Sequence, residues 1–467
     1  MKPIAPEPEV HIRPEPHAWA ALLAANRAST NPAAALFRRQ LGLPTNVPIV
    51  MSGHQAQFWH AGILAKHFAT LHTAAAHHAH PAWIVVDQDE PEFLDLRFPT
   101  RDPAGALADD RYRIVPATAG ISASTNAAAL PAFDPEPLPP ALSAAACEAV
   151  VPALQRTREA LLHHRSCATA AEQVARAAAS LAAPFADNHV PTLLFASRLA
   201  RTTLFTKLVQ RMAANPAACH TAYNAALTAA PRTGIAPLAA DAARDRLELP
   251  LWHIDASGHR RRVWSTDLGT LATETLAPRA LLLTGLLRLA ACDLFIHGLG
   301  GGGATGTAGY DRATDHWFAA WLGQELAPTA LATATLLLPL LDHAPAAPAD
   351  IAHARWVAHH ARHSPAALAQ WGAEQEKRAL ALRITRTPMR RVRAALFARM
   401  HALLADVRSA HTTRLADLAA RADTLASRAA TERLAADRTW PFMLHDERAL
   451  ARLSEMIAAR VGAREHA

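Results

Sequence analysis

A chain of 467 residues with 51% apolar content is long for one domain and rich enough in core-forming residues for two or three units. A net charge of +7 over this length is modest and argues against nucleic acid as a partner, since arginine supplies most of the basic charge and the lysines are Lys2, Lys66, Lys207 and Lys377. Cys147, Cys167, Cys219 and Cys292 form neither a CxxC nor a zinc spacing, no apolar run is long enough to span a bilayer and no signal segment is evident, so a cytoplasmic protein without a membrane or metal motif is expected.

Residues 1–46 read as a proline-rich extended arm over 1–16, followed by helical pattern from Ala18 to Leu41. Val47–Met51 is a buried-strand pattern that Ser52-Gly53 is expected to break, with a helix from about Trp59 to His78 and a second strand at Ala82–Asp87. Short connections make this a βαβ unit with a parallel, right-handed crossover. From Leu96 to Pro140 the chain is rich in Pro, Asp and Ala, with one strand expected at Tyr112–Val115, which closes a first core segment, 47–140. Residues 141–190 form a helical insert.

The second core segment, 191–345, opens with a strand at Val190–Ser197 and helices near 203–212 and 216–227. Leu247–Ile254 and Arg261–Trp264 flank Ser257-Gly258 as an antiparallel hairpin. Pro278 is suited to the first turn of a helix that reaches Ala291. Leu294–His297 is a buried strand, the glycine-rich stretch Gly298–Gly309 follows, and a helix with Trp317, Phe318, Trp321 and Leu322 on one face starts near Asp311. A last sheet strand is expected at Leu331–Leu341. In 346–440 the apolar positions Leu396, Met400, Leu403, Val407, His411, Leu415, Leu418, Ala422, Leu425 and Ala429 recur every three or four residues, a coiled-coil or helical-hairpin seam with an irregular step between Val407 and Leu415. The tail, 441–467, is expected to fold back on the core before a final helix from Glu447.

Three groups of residues could carry chemistry. Gly53, His54, Gln55 and His60 lie at the carboxyl end of the first strand, with Lys66 further along the next helix; histidine there can shuttle a proton or hold an anion. Asp87 and Asp89, with Glu90 and Glu92, end the second strand, where α/β proteins place ligands; a carboxylate there could serve as general base, bind an amine or hold a metal, and Asp89 is the best single candidate. His297 and the turn Gly298, Gly300 and Gly301, flanked by Tyr310 and Asp311, offer a backbone nest for an anionic group. The Gly298–Gly303 stretch matches GxGxxG formally, but the following helix is delayed, no acidic partner stands at dinucleotide spacing, and GK[ST] is missing. The expected site therefore has His54, Asp89 and His297 as catalytic residues and Gly53, Gln55, His60, Lys66, Asp87, Gly298, Gly300, Gly301, Tyr310 and Asp311 as substrate-binding residues. Gly302–Gly309 reads as an inserted loop.

Ser-Gly-His-Gln at 52–55, Trp-Ile-Val-Val-Asp-Gln-Asp-Glu at 83–90, Ala-Pro-Arg-Ala-Leu at 277–281, the glycine turn after a strand and the C-terminal seam together resemble the bacillithiol biosynthesis cysteine-adding enzymes. The resemblance covers most of the chain in order, through short motifs. It implies an α/β fold with a Rossmann-like parallel sheet core, helical inserts and a C-terminal α-helical coiled coil used for homodimerisation. It also implies a ligase that adds cysteine, or a similar small amine or thiol, to a glucosamine–malate conjugate. The sequence departs from the family where the acidic turn lacks a histidine and the glycine turn lacks Pro-Gly-Glu, which bears on the substrate more than on the fold. The cofactor is left open, with a nucleotide (ADP or ATP) as the candidate. The alternatives are a nucleotide-binding or nucleotidyl-transfer enzyme, and a non-catalytic Rossmann-like protein with a coiled-coil interaction arm.

Overall fold

The computed structural model of the chain describes residues 7–25, 31–103, 105–116, 125–139, 142–231, 233–302, 309–341 and 348–462. These fall into two compact units. One comprises Ala5–Phe98, Asp110–Leu338 and Arg438–Ala467, and the other Pro99–Asp109 and Pro339–Asp437.

The larger unit begins with β1 (Glu9–Arg13), α1 (Ala18–Ala25), α2 (Pro32–Gln40), β2 (Ile49–Gln55), α3 (Ala61–Ala76) and β3 (His80–Val86). A hairpin, β4 (Asp95–Arg101) with β5 (Leu107–Arg113), carries the chain out of this unit and back. Then come α4 (Val150–His163), α5 (Ala170–Ala182), β6 (Thr192–Phe195), α6 (Thr203–Ala214) and α7 (Pro216–Ala229). A small sheet follows, β7 (Ala240–Asp241), β8 (Arg246–Ile254), β9 (Arg260–Trp264) and β10 (Leu276–Pro278). The unit's remaining sheet elements are α8 (Ala280–Ala290), β11 (Leu294–His297), α9 (Leu299–Gly302), α10 (Tyr310–Leu322) and β12 (Thr329–Thr335).

The main sheet runs β1-β12-β11-β2-β3-β6. Every pairing in it is parallel except that of β1 with β12. Along the chain the parallel strands first spread outward from β2 through β3 to β6, then resume on the other side of β2 with β11 and β12. Strand order therefore reverses between β2 and β11, and their carboxyl ends diverge into a crevice. Helices cover both faces. On one, α2, α6, α7, α8 and α10 share a single buried cluster with Ile49, Met51, Ile84, Leu194 and Phe295. On the other, α3 lies against the strands, with the last helix, α15 (Glu447–Val461), packed on it. Trp59, His67, Trp83 and Phe442 form an aromatic cluster there, and Phe442 donates its backbone N–H to Trp59 at 2.7 Å.

Several expectations need correcting. Ser52-Gly53 does not break β2. A Cβ on Gly53 would lie 2.2 Å from Ile84 Cγ2 and 2.3 Å from the Ile84 carbonyl oxygen, so the glycine permits close pairing and the strand runs on to Gln55. The N-terminal arm is an edge strand. Val10 and Ile12 alternate into the core, and Arg460 of α15 donates to the Val10 carbonyl at 2.6 Å. Pro278 ends β10 rather than opening α8, whose N-cap is Arg279. The last sheet strand stops at Thr335, short of Leu341. Apart from Gly302 and Gly309, the expected glycine insertion lies outside the described residues.

In the smaller unit, α11 (Pro348–Ala361), α12 (Trp371–Arg386), α13 (Arg390–Ala410) and α14 (Thr412–Ala435) pair within the chain, α12 with α13 and α11 with α14. His411, at φ −124° and ψ 29°, ends α13. The irregular step in the heptad pattern coincides with this boundary between two helices, so the seam is not one continuous helix. Leu396, Leu415 and Ala422 are its buried positions, while Leu403 is half-buried and its neighbour Leu404 is buried instead.

The amino ends of β2 and β11 are fixed by one buried ion pair. Arg38 of α2 donates Nη2 to Asp293 Oδ2 at 2.7 Å, and the same oxygen accepts the Ile49 N–H at 2.7 Å. Both side chains are essentially inaccessible. Removing one partner strands the other in the core, so Asp293→Ala is expected to lower unfolding free energy by about 3–5 kcal/mol. The urea midpoint measures this, and a loss below about 1 kcal/mol would mean the pair is dispensable.

Candidate functional site

The crevice between β2 and β11 opens into a cavity of about 720 Å³, whose lining among the described residues belongs to the larger unit. Gly53, His54, Gln55, His60, Lys66, Asp89, His297, Gly298, Gly300 and Tyr310 all line it. The carboxyl ends of adjacent parallel strands deliver His54 and His297, and α3 delivers Lys66 from below.

Two expected site residues lie elsewhere. Asp87 is buried and accepts the Ser197 N–H at 2.9 Å and the Ser197 hydroxyl at 2.5 Å, which pins the turn after β6. Burial raises its carboxyl above the ordinary range, against the opposing hydrogen bonds from Ser197. Asp311 accepts from the Thr329 hydroxyl at 3.1 Å and from Arg312 N–H at 2.8 Å, joining α10 to β12. Gly301 sits within α9. The glycine turn is thus a short helical turn, closed by Gly302 N–H to Gly298 oxygen at 2.9 Å, rather than an open nest. Gly302 is needed there because a Cβ would stand 2.7 Å from Leu331 Cδ1.

His54 Nδ1 accepts from the Gln57 side-chain amide at 2.9 Å, a contact that leaves the proton on Nε2 of a neutral ring. Burial, then Lys66 and His60, lower its pKa well below the ordinary histidine value. His60 caps α3, its Nδ1 accepting the Gly62 N–H at 3.0 Å. His297 is 2% exposed, its ring lies edge-on to Tyr310 with centroids 5.4 Å apart, and its Nε2 has no hydrogen-bond partner among the described residues. Burial, then Arg288 and Lys66, hold it neutral. Burial pushes the Tyr310 hydroxyl up to about 12, with Asp311 adding to the shift.

Asp89 is held by Arg260 Nη1 and by Gln55 Nε2 at 3.4 Å, while Arg260 Nη2 reaches Glu90 Oε1 at 3.3 Å. Its charge is already answered, which makes it a positioning group for Arg260 more than a free base.

Sequence reasoning missed the facing wall. Arg260 and Arg262 project from one side of β9, Trp252 stands opposite Arg262 on β8, and Arg279 precedes α8. Arg279 donates Nη2 to Glu248 Oε1 at 2.7 Å and lies 3.8 Å from the centroid of the Trp252 ring. Its buried Nε has no hydrogen-bond partner among the described residues. The alternation of Arg260 and Arg262 in a recognised hairpin was the available signal. With Arg438 added, the arginines on the cavity wall outnumber the carboxylates Asp89 and Glu248, so the electrostatics favour an anionic ligand. Among the described residues no cysteine lines the cavity, and burial pushes the nearby-in-sequence Cys292 thiol up to about 12.

Compared with known proteins, the chain matches no family model, and no curated protein matches it. Among the described residues no helix is long and apolar enough to cross a membrane. Nor, among them, do three or more His, Cys, Asp or Glu come together in a group that could hold a metal ion.

Lys66 donates Nζ to the Gly53 carbonyl at 2.7 Å, and burial lowers its pKa from 10.5 to about 7. Between these values the unfolded chain binds a proton that the folded chain does not, so this residue makes stability rise with pH across the window and fall as pH drops through about 7. The difference in unfolding free energy between wild type and Lys66→Met should therefore move in the wild type's favour from pH 7 to pH 10, by up to about 1.4 kcal/mol per pH unit. Urea denaturation at a series of pH values reads it, and a flat difference would show an ordinary lysine.

Proposed function

We propose that this chain is a cytoplasmic ligase of the cysteine-adding kind its motifs resemble, built on a Rossmann-like core. In this reading it joins cysteine, or a similar small amine or thiol, to an acidic sugar conjugate of the glucosamine–malate type. The observation that carries the reading is the convergence of His54, Gln55, His297 and Gly298 on one cavity with Arg260, Arg262 and Arg279. The arginines suit the carboxylates of the conjugate. The neutral rings of His54 and His297 suit removal of a proton from the attacking amine near neutral pH. An open cavity of about 720 Å³ also speaks for a ligand and against a non-catalytic core filled by its own side chains.

Forming an amide from a carboxylate expels its oxygen as water or with an activating group, and ATP is the cofactor class for the second route. Incubating the purified chain with glucosamine–malate and cysteine, with and without ATP, should yield the cysteine conjugate by mass spectrometry. His54→Ala should slow its formation by about 10²–10⁴-fold. No conjugate under either condition would end the ligase reading.

The reversal of strand order and the arginine wall also suit a nucleotide, which keeps a nucleotide-binding or nucleotidyl-transfer enzyme as the second reading. Thermal-shift measurements with ATP, ADP and NAD separate the two, and no shift with any of them counts against the second.

For the smaller unit, we propose a coiled-coil arm that forms a homodimer through apolar residues left exposed near the α12–α13 turn, Met389 at 65% and Val392 and Phe397 at 42% each. Light scattering should give a dimer for wild type and a monomer for Val392→Glu/Phe397→Glu. A wild-type monomer would remove the arm from the reading.

A further inference from the structure

The cavity contains a single lysine amine, and its surroundings are unusual. Lys66 is 7% exposed, its Nζ donates to the Gly53 carbonyl at 2.7 Å, and it stands 5.5 Å from the centroid of the Trp83 ring. Among the described residues no carboxylate offsets its burial. An ammonium there would leave donors poorly answered in an apolar setting, whereas a neutral amine keeps the bond to Gly53 and retains a lone pair. Beside it are two uncharged imidazoles, His54 and His297, and the buried Nε2 of His297 has no hydrogen-bond partner among the described residues. The same cavity carries Arg262 and Arg279.

We propose that Lys66 makes this cavity a carbonyl-capture site, in which Nζ forms an imine with a small 2-oxo acid whose carboxylate is held by Arg262 and Arg279. The Nζ lone pair adds to the ketone carbon, and the carbonyl oxygen gains the proton that the nitrogen gives up. A neighbouring neutral imidazole takes the remaining nitrogen proton and passes one on to the hydroxyl, so that water leaves as the C=N bond closes. An amine and a ketone become an imine and water, with no oxidant, reductant or metal required. This site needs neither cysteine nor a sugar conjugate, so its test is independent of the ligase assay.

The full chain is incubated with pyruvate and sodium cyanoborohydride at pH 7, then digested and mapped by mass spectrometry. Lysine is scarce enough in this sequence for every competing position to be read in the same digest. At pH 7 the neutral fraction of Lys66 exceeds that of an ordinary lysine roughly a thousandfold, and the lower basicity of its nitrogen offsets part of that. Carboxyethylation of Lys66 is therefore expected to exceed that of Lys207 and Lys377 by at least about tenfold, and to fall as pH drops below about 7. Acetone should label Lys66 about tenfold less than pyruvate, and Arg279→Gln should narrow that gap. Even labelling of Lys66, Lys207 and Lys377, or an unlabelled Lys66, overturns the carbonyl-capture site. Equal labelling by acetone and pyruvate overturns its selectivity for a 2-oxo acid.

Discussion

The Arg38–Asp293 ion pair is the constraint from which the larger unit's geometry follows. It is buried at 0% and 2% side-chain exposure, and its carboxylate also takes the first backbone N–H of β2. A charge pair in a core is a poor source of net stability compared with apolar packing, but it is intolerant of misplacement. Here it ties α2, the start of β2 and the start of β11 together on the amino-terminal side of the sheet. With that side fixed, twist and the reversal of strand order open the opposite side, and His54 and His297 emerge at the rim of the opening.

The cavity then separates two kinds of electrostatics. Its sheet side carries His54, His297 and Lys66, all shifted by burial toward their neutral forms. Its hairpin side carries guanidinium groups braced by Glu248, Asp89 and the Trp252 ring. The groups pushed toward neutrality and the guanidinium groups thus come from different elements of the chain.

Much of this was legible in the sequence where the signal is local. The β2–α3–β3 unit, β11, α6, α7 and the β8–β9 hairpin all show their period or turn chemistry within a few residues, and His54, Asp89 and His297 were found because parallel strands present chemistry at their carboxyl ends. What was not legible depends on distant partners. Val10 and Ile12 look like part of a proline-rich arm until β12 stands beside them. Gly53 reads as a break, because nothing local reveals how closely Ile84 approaches. Asp87 and Asp311 look like site carboxylates until Ser197 and Thr329 occupy them. The arginine wall is brought to the site by a hairpin some two hundred residues after β2, a placement that periodicity does not encode.

The pairing of β1 with β12 has a consequence for how the chain assembles. Glu9 meets Thr335, and the Val10 carbonyl is also taken by Arg460. A strand synthesised before all the others in this sheet must wait for the last of them, and then for the final helix, before its backbone groups are answered. Contacts this distant in sequence slow the closing step, because loop entropy is lost before the contacts are gained. Until then the outer edge of β12 is an open strand edge able to recruit another chain. The late return of β1 therefore acts as a seal, and it makes the interval between synthesis of β12 and of α15 the period when this protein is most exposed to misassembly.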